Sequence, residues 1–198
     1  MEALINYLLQ FGQLNQQQID LIKGKAKKVE LKRDDYFSEA GKIANQVAFI
    51  VEGILKVSYY DKKGEEITKY FIDENNFAVD MNSLTNKIPS SEYTQAVTNS
   101  KLIIFSTDAL KEFSLTIIGW DNVVNQIMAK SMIEKINRIS PMLAEDAKTR
   151  YLNFLAKFPQ LANRIPLSLL ASYLGITQSS LSRIRRTIRK HFLPNDKS

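Results

Sequence analysis

The chain of 198 residues reads as α+β, a body of short strands with helices before and after it. Three observations carry this reading. Between Val29 and about Thr107 apolar residues recur at every second position, the period of half-buried strands. On either side they recur every third or fourth position, the period of helices packed on one face. Turn residues punctuate the middle stretch at Gly41, Gly53, Asp61-Lys62-Lys63-Gly64 and Asp73-Glu74-Asn75-Asn76, and short strands at such spacing argue for a β sandwich or barrel.

The elements follow in order. Residues 1 to about 28 read as helical, with Leu4, Tyr7, Leu8 and Phe11 on one face, and Asn15 is placed to cap a second short helix carrying Ile19 and Ile22. Strands are expected near 29–32, 35–38, 46–51, 54–60, 65–71, 93–98 and 101–106. Asp61 to Gly64 reads as a hairpin loop with its glycine at the positive-φ position. Thr107 or Asp108 should cap a short helix through Phe113. A longer helix from Leu115 to Ile139 is apolar on more than a narrow stripe, so it should have two partners, the strand body and the same helix of a second copy. Trp120, Val124, Ile127, Met128 and Met132 are its candidate dimer contacts. Ser140-Pro141 should break it, because the residue before a proline leaves the helical region. A further helix is expected from Leu143 to Phe158, ended by Pro159. These breaks divide the chain into residues 1–113, 114–140 and 141–198.

The stretch from Arg164 to Lys190 reads as two short helices around a tight turn. Pro166 suits a first helical position, Leu169, Leu170, Ala171 and Leu174 recur at helical spacing, and Gly175 supplies the turn. Thr177 is a good N-cap. In the second helix Leu181, Ile184 and Ile188 share a face, leaving Gln178, Ser179, Ser182, Arg183, Arg186 and Lys190 elsewhere. Small residues let a backbone come close to a groove, and arginines supply paired donors to guanine edges or phosphates. Ala171, Gly175, Ile176, Leu181 and Ile184 match the constrained positions of a DNA-binding helix-turn-helix.

Charge agrees with that reading. From Lys148 onward ten bases meet one acid, so this part carries +9 and the remainder −3 of the chain's net +6. A basic terminal part on a slightly acidic body implies a polyanion partner for that part alone. A membrane is not the expected partner, since the second helix lacks the broad apolar face of an interfacial anchor and no apolar run approaches the ~18 residues of a span. The N-terminus, MEALINYLLQFGQL, has no basic lead of a secretory signal. Cysteine is absent, which fits the cytoplasm and excludes thiolate metal sites, Cys-held iron–sulfur clusters and Cys nucleophiles.

In this order of elements the chain resembles the Crp/Fnr family of transcription regulators over nearly its full length. The resemblance rests on AFIVEGILKVSYYDKKGEEITKYF from Ala48 to Phe71 with Gly53 and Gly64 at its turns, on Ala147 to Leu155, and on Gly175 to Arg186. It implies an N-terminal double-stranded, jelly-roll-like β-roll as sensor domain, a long dimerisation helix, and a C-terminal winged-helix-like helix-turn-helix. Only HFLPNDKS follows Lys190, too little for a full wing.

The resemblance also implies a ligand pocket in the roll. Where cyclic-nucleotide binders carry Gly-Glu and later Arg-Ser, this chain has Val79 and Asp80, then Ser90 and Ser91. With no arginine near Ser90 a buried phosphate would be poorly compensated, so cyclic AMP is not the expected ligand. An iron–sulfur cluster is not expected without cysteine, and a roll-bound haem is not expected because the one histidine, His191, follows the recognition helix. No metal is expected. In the DNA domain Gln178-Ser179 replace the family's frequent Arg-Glu, so its usual base preference does not carry over.

The expected function is therefore a homodimeric, sequence-specific regulator on palindromic double-stranded DNA, with RNA polymerase a candidate partner. Gln178, Ser179, Ser182, Arg183 and Arg186 are the candidate base contacts; Thr177, Arg185, Arg189 and Lys190 are the candidate phosphate contacts. The alternative is a small-molecule-binding roll with a vestigial DNA domain. An enzyme is not expected. The acid pairs Asp34-Asp35, Glu65-Glu66 and Asp73-Glu74 lie in turn regions, and no Gly-x-Ser-x-Gly elbow, phosphate-cradling glycine loop or histidine metal cluster occurs.

Overall fold

The fold comes from a computed structural model, which describes residues 1–192 without the side chains of 138–143, 157 and 190–192. Two short helices, α1 (Glu2–Leu8) and α2 (Gln16–Lys25), open the chain. Asn15 caps α2 as expected, accepting the Gln18 N–H at 2.9 Å, while the Gln18 side chain accepts the Asn15 N–H in return.

Eight strands then form a roll of two four-stranded antiparallel sheets. The first is ordered β1 (Lys27–Leu31), β8 (Ser100–Ser106), β3 (Gln46–Glu52), β6 (Phe77–Ala78). The second is ordered β2 (Tyr36–Ser38), β7 (Tyr93–Ala96), β4 (Leu55–Tyr60), β5 (Glu66–Ile72). Seven strands lie within a residue or two of the expected places; the two-residue β6 was not expected. Gly64 closes the β4–β5 hairpin at φ 80, with its N–H on the Asp61 carbonyl.

Strand alternation builds two cores from one sheet. Ala48 and Ile50 of β3 and Leu102 and Ile104 of β8 face the roll interior, against Leu55, Val57 and Ala96 of the other sheet. Their neighbours Phe49, Ile103 and Phe105 face outward, onto Leu4, Leu8, Phe113, Trp120 and Val123 of the helices. Both faces of this sheet are therefore buried, which explains its near-continuous apolar runs.

The helices correct several boundaries. A six-residue helix, α3 (Met81–Asn86), stands where only loop was expected, started by Asp80 and ended by Lys87 in the left-handed region. The next helix, α4, runs over Thr107–Thr116, and its cap is Ser106 rather than Thr107 or Asp108. The long helix α5 spans Trp120–Ala144 and passes through Ser140 and Pro141 without ending. Proline lacks the interior N–H but its fixed φ is helical, so it lets a helix continue at a cost of about 3 kcal/mol. The break falls instead at Glu145, and Asp146 caps α6 (Ala147–Lys157) through the Thr149 N–H at 2.8 Å. In α7 (Leu167–Tyr173) Pro166 is the capping residue, one place earlier than expected. The last helix, α8 (Gln178–Phe192), follows Gly175 at φ 65. The expected wingless tail beyond Phe192 lies outside the described residues.

A third core joins the C-terminal helices to the roll. Tyr151, Phe154, Leu170, Ala171, Leu174 and Leu181 pack in one cluster with Ile54, Phe71 and Val97 of the second sheet. Phe71 and Tyr173 lie ring to ring at 5.4 Å.

Candidate nucleic-acid interface

Helices α7 and α8 form the helix-turn-helix. Leu181 is fully buried, Ile184 and Ile188 pack half-buried beside it, and Ala171 closes the facing side. The turn is held by the Ile176 N–H on the Ala171 carbonyl at 3.0 Å and the Gly175 N–H on the Ser172 carbonyl at 3.0 Å. Thr177 caps α8 through the Ser180 N–H at 3.1 Å, and its hydroxyl also meets Ser180 Oγ at 2.9 Å.

The outer face collects the candidate residues on one surface. Gln178, Ser179, Ser182, Arg183 and Arg186 are all exposed, as are Thr177 and Arg189, and Arg185 is half-buried. The Lys190 side chain lies outside the described residues. Arg183 makes a long 3.4 Å contact with Ser180 Oγ. Among the described residues none of Arg183, Arg185, Arg186 and Arg189 is ion-paired, and residues 147–195 contain no acid. Guanidinium groups along the exposed face of a helix suit a polyanion that brings its own negative charge.

The base Arg164 is the exception. Its guanidinium grips Glu74 of the β5–β6 turn with two hydrogen bonds, 3.0 Å to Oε2 and 2.6 Å to Oε1. Glu74 also accepts the Gly53 N–H at 2.8 Å. Burial pushes the Glu74 carboxyl up, but the bonds from Arg164 and Gly53 outweigh it and hold it below the usual carboxylate range. The bond to Glu74 in turn raises Arg164. Nothing in the sequence marked these two residues as partners.

The four candidate ligand residues are not brought together as an anion cradle. Asp80 is spent as the α3 cap, accepting the Ser83 N–H at 3.0 Å. Ser90 is buried in its own turn, bonded to the backbone of Glu92, and Ser91 is exposed. Val79 alone lines a cleft of about 750 Å³ between α5 and the roll, with Leu4, Phe71, Met81 and Trp120. Its charged lining is Lys135 against Asp121 and Glu134, with no arginine. These residues do not fit a cyclic phosphate, which needs matched donors when taken out of water.

The long helix corrects two dimer candidates. Trp120 and Ile127 are buried within the chain, packed with Phe113 and Leu4, because the strand body claims that face. Val124 is half-buried, while Met128 and Met132 are exposed together with Ile133 and Ile136. The acid pairs have structural employment: Glu66 binds Lys56 at 2.5 Å and Ser58 at 2.6 Å, Asp35 accepts the Lys32 N–H, and Asp73 accepts from Asn76. Among the described residues no group of carboxylates and histidines stands where it could hold a metal. No helix among them is long and apolar enough to cross a membrane.

The architecture is thus a roll of two antiparallel sheets, a long helix beside it and a helix-turn-helix with a basic outer face. Residues 28–116 match the family model of the cyclic nucleotide-binding domain. No curated protein matches the chain. Among solved structures it is similar to FixK2 from Bradyrhizobium japonicum, with a TM-score of 0.74 and 13% identity over 87% of this chain and 89% of that one. The regulator CLP from Xanthomonas campestris, described as c-di-GMP responsive, gives 0.72 and 12% over 93% and 96%. A putative regulator of the Crp/Fnr family from Eubacterium rectale gives 0.71 and 18% over 94% and 88%. The resemblance read from the sequence therefore holds: the chain has the Crp/Fnr fold, with a roll of the cyclic nucleotide-binding type.

Proposed function

We propose that the protein is a homodimeric, sequence-specific DNA-binding transcription regulator. The observation that carries this reading is the outer face of α8, where exposed short polar residues and unpaired arginines stand together on a helix whose other face is buried. Gln178, Ser179, Ser182, Arg183 and Arg186 are read as the base contacts, and Thr177, Arg185, Arg189 and Lys190 as the phosphate contacts. Residues 1–113 serve as the sensor, the long helix as the dimer element through Met128 and Met132, and the remainder from about Glu145 as the DNA-binding part. Cyclic AMP is not the expected effector, because no arginine stands near Ser90 in sequence to meet a buried phosphate. Its place of work is the cytoplasm.

Selection of bound sequences from random DNA tests this, followed by titration of the selected duplex. A palindromic consensus and a salt-dependent complex are expected. Arg183→Ala should cost about 1–3 kcal/mol and relax preference at its base, whereas Lys190→Ala should weaken all sequences alike and flatten the salt slope. Unchanged affinity and preference in Arg183→Ala would remove α8 from the base edges. Failure of the intact protein to bind any duplex favours a ligand-binding roll with an idle C-terminal part.

A further inference from the structure

The helix-turn-helix is attached to the roll at two separated points. Arg164, just before α7, holds Glu74, which is itself tied to the β3–β4 turn through Gly53. In the last turn of α7, Ser172 Oγ accepts the Thr68 N–H at 3.0 Å and reaches the Glu66 carbonyl at 3.4 Å. Since β5 ends its sheet, Ser172 stands where a next strand would bond. Between the two points lies the apolar contact of Phe71 with Tyr173.

One point of attachment permits rotation; two fix direction. The covalent tie between α5 and α6 is Glu145 and the cap Asp146, whose soft backbone dihedrals leave rotation open unless other contacts stop it. We infer that the Glu74–Arg164 pair, together with Ser172, determines which half-site spacing the protein reads, by fixing the heading of α8 relative to α5. This rests on the DNA-binding reading above. A dimer reaches two half-sites about one helical turn, 34–36 Å, apart only if both recognition helices keep their orientation. A domain free to turn would accept several spacings and would lose orientational freedom on binding any of them.

The pair allows a test in which electrostatics and orientation separate. Arg164→Gln removes positive charge from the basic part, so it lowers general DNA affinity; Glu74→Gln removes an acid and raises it. Loss of the latch should instead act in the same direction in both. Full-length wild type and both variants are titrated on the selected palindrome and on versions with the half-sites moved apart by one and two base pairs. Wild type is expected to prefer its own spacing roughly tenfold, and both variants to narrow that ratio by roughly threefold or more while their overall affinities move oppositely. Hydrogen exchange at the Thr68 amide, measured without DNA, should quicken in both. Unchanged ratios with binding retained overturn the spacing assignment alone. Wild type that binds no duplex overturns the DNA-binding reading and the spacing assignment with it.

Discussion

Ser172 Oγ and the Thr68 N–H, 104 residues apart in sequence, meet at 3.0 Å where α7 covers the rim of β5. The Thr68 side chain beneath them is buried, and its own Oγ1 has no hydrogen-bond partner. Two substitutions should therefore act in opposite directions. Ser172→Ala leaves the Thr68 N–H unanswered and should destabilise by about 1–3 kcal/mol; Thr68→Val removes a buried hydroxyl that no protein group answers while keeping shape and should stabilise by about 1 kcal/mol. Urea unfolding of the two variants checks both signs.

Gly53 should tolerate no side chain. It sits at φ 105, and a Cβ there would come 2.2 Å from Ser100 Oγ and 2.7 Å from Ser100 Cα. Backbone strain of about 1–3 kcal/mol adds to an overlap that the backbone atom cannot yield. Gly53→Ala is expected to lower Tm steeply, and it should also loosen Glu74, which takes the Gly53 N–H. Gly64, with open space around its Cβ position, should cost only the turn strain.

Acid should loosen the attachment of the C-terminal helices to the roll. Glu74 has a lowered pKa when folded, because the bonds from Arg164 and Gly53 outweigh burial. Such a group contributes stability that is complete above the ordinary carboxylate pKa and is lost as pH falls through its lower folded value. Burial likewise raises Glu66 and is outweighed by Lys56 and Ser58, so its contribution follows the same direction. Protection of the Thr68 amide, its exchange relative to the free-peptide rate at the same pH, should fall in that acid window in wild type. In Glu74→Gln that protection should already be low at neutral pH, with the Glu74 part of the dependence gone.

The exposed apolar stripe of α5 should carry self-association. Met132 and Ile136 are 60% and 53% exposed in the single chain, so placing charge there costs the monomer little. Met132→Glu with Ile136→Glu is expected to convert a dimer to a folded monomer in sedimentation, with circular dichroism unchanged. Trp120→Ala, by contrast, should unfold the helix–roll core by about 3–5 kcal/mol, because Trp120 packs on Phe113 at 5.1 Å.

Much of this molecule was legible in its residues, and the rest was illegible for physical reasons. Strands β4 and β5 declared themselves by alternation, because a pleat sends neighbours to opposite faces, whereas β3 and β8 showed as short apolar runs bounded by turn residues, since both of their faces are buried. The α7–α8 turn declared itself through Gly175 and Thr177, whose roles are local. Helix α3 did not: six residues with Met81 and Leu84 as its apolar marks show too little period, and Asp80 looked like a ligand residue when it is a cap. Pro141 promised an end to α5 and gave none. The Arg164–Glu74 grip joins residues 90 apart, and no local pattern says which surface acid a given arginine will meet. Likewise Trp120 and Met132 look alike in a pattern of apolar residues; only folding shows that one faces the roll and the other the outside.

By laying α7 along β5, the fold also shields a row of peptide groups that would otherwise invite strangers. An uncovered border strand is a template on which another chain can extend the sheet. Severed before Ala147, the roll would lose its bolt and bare this ribbon, and its fate would be clumping. The C-terminal helices thus double as the roll's guard against polymerisation.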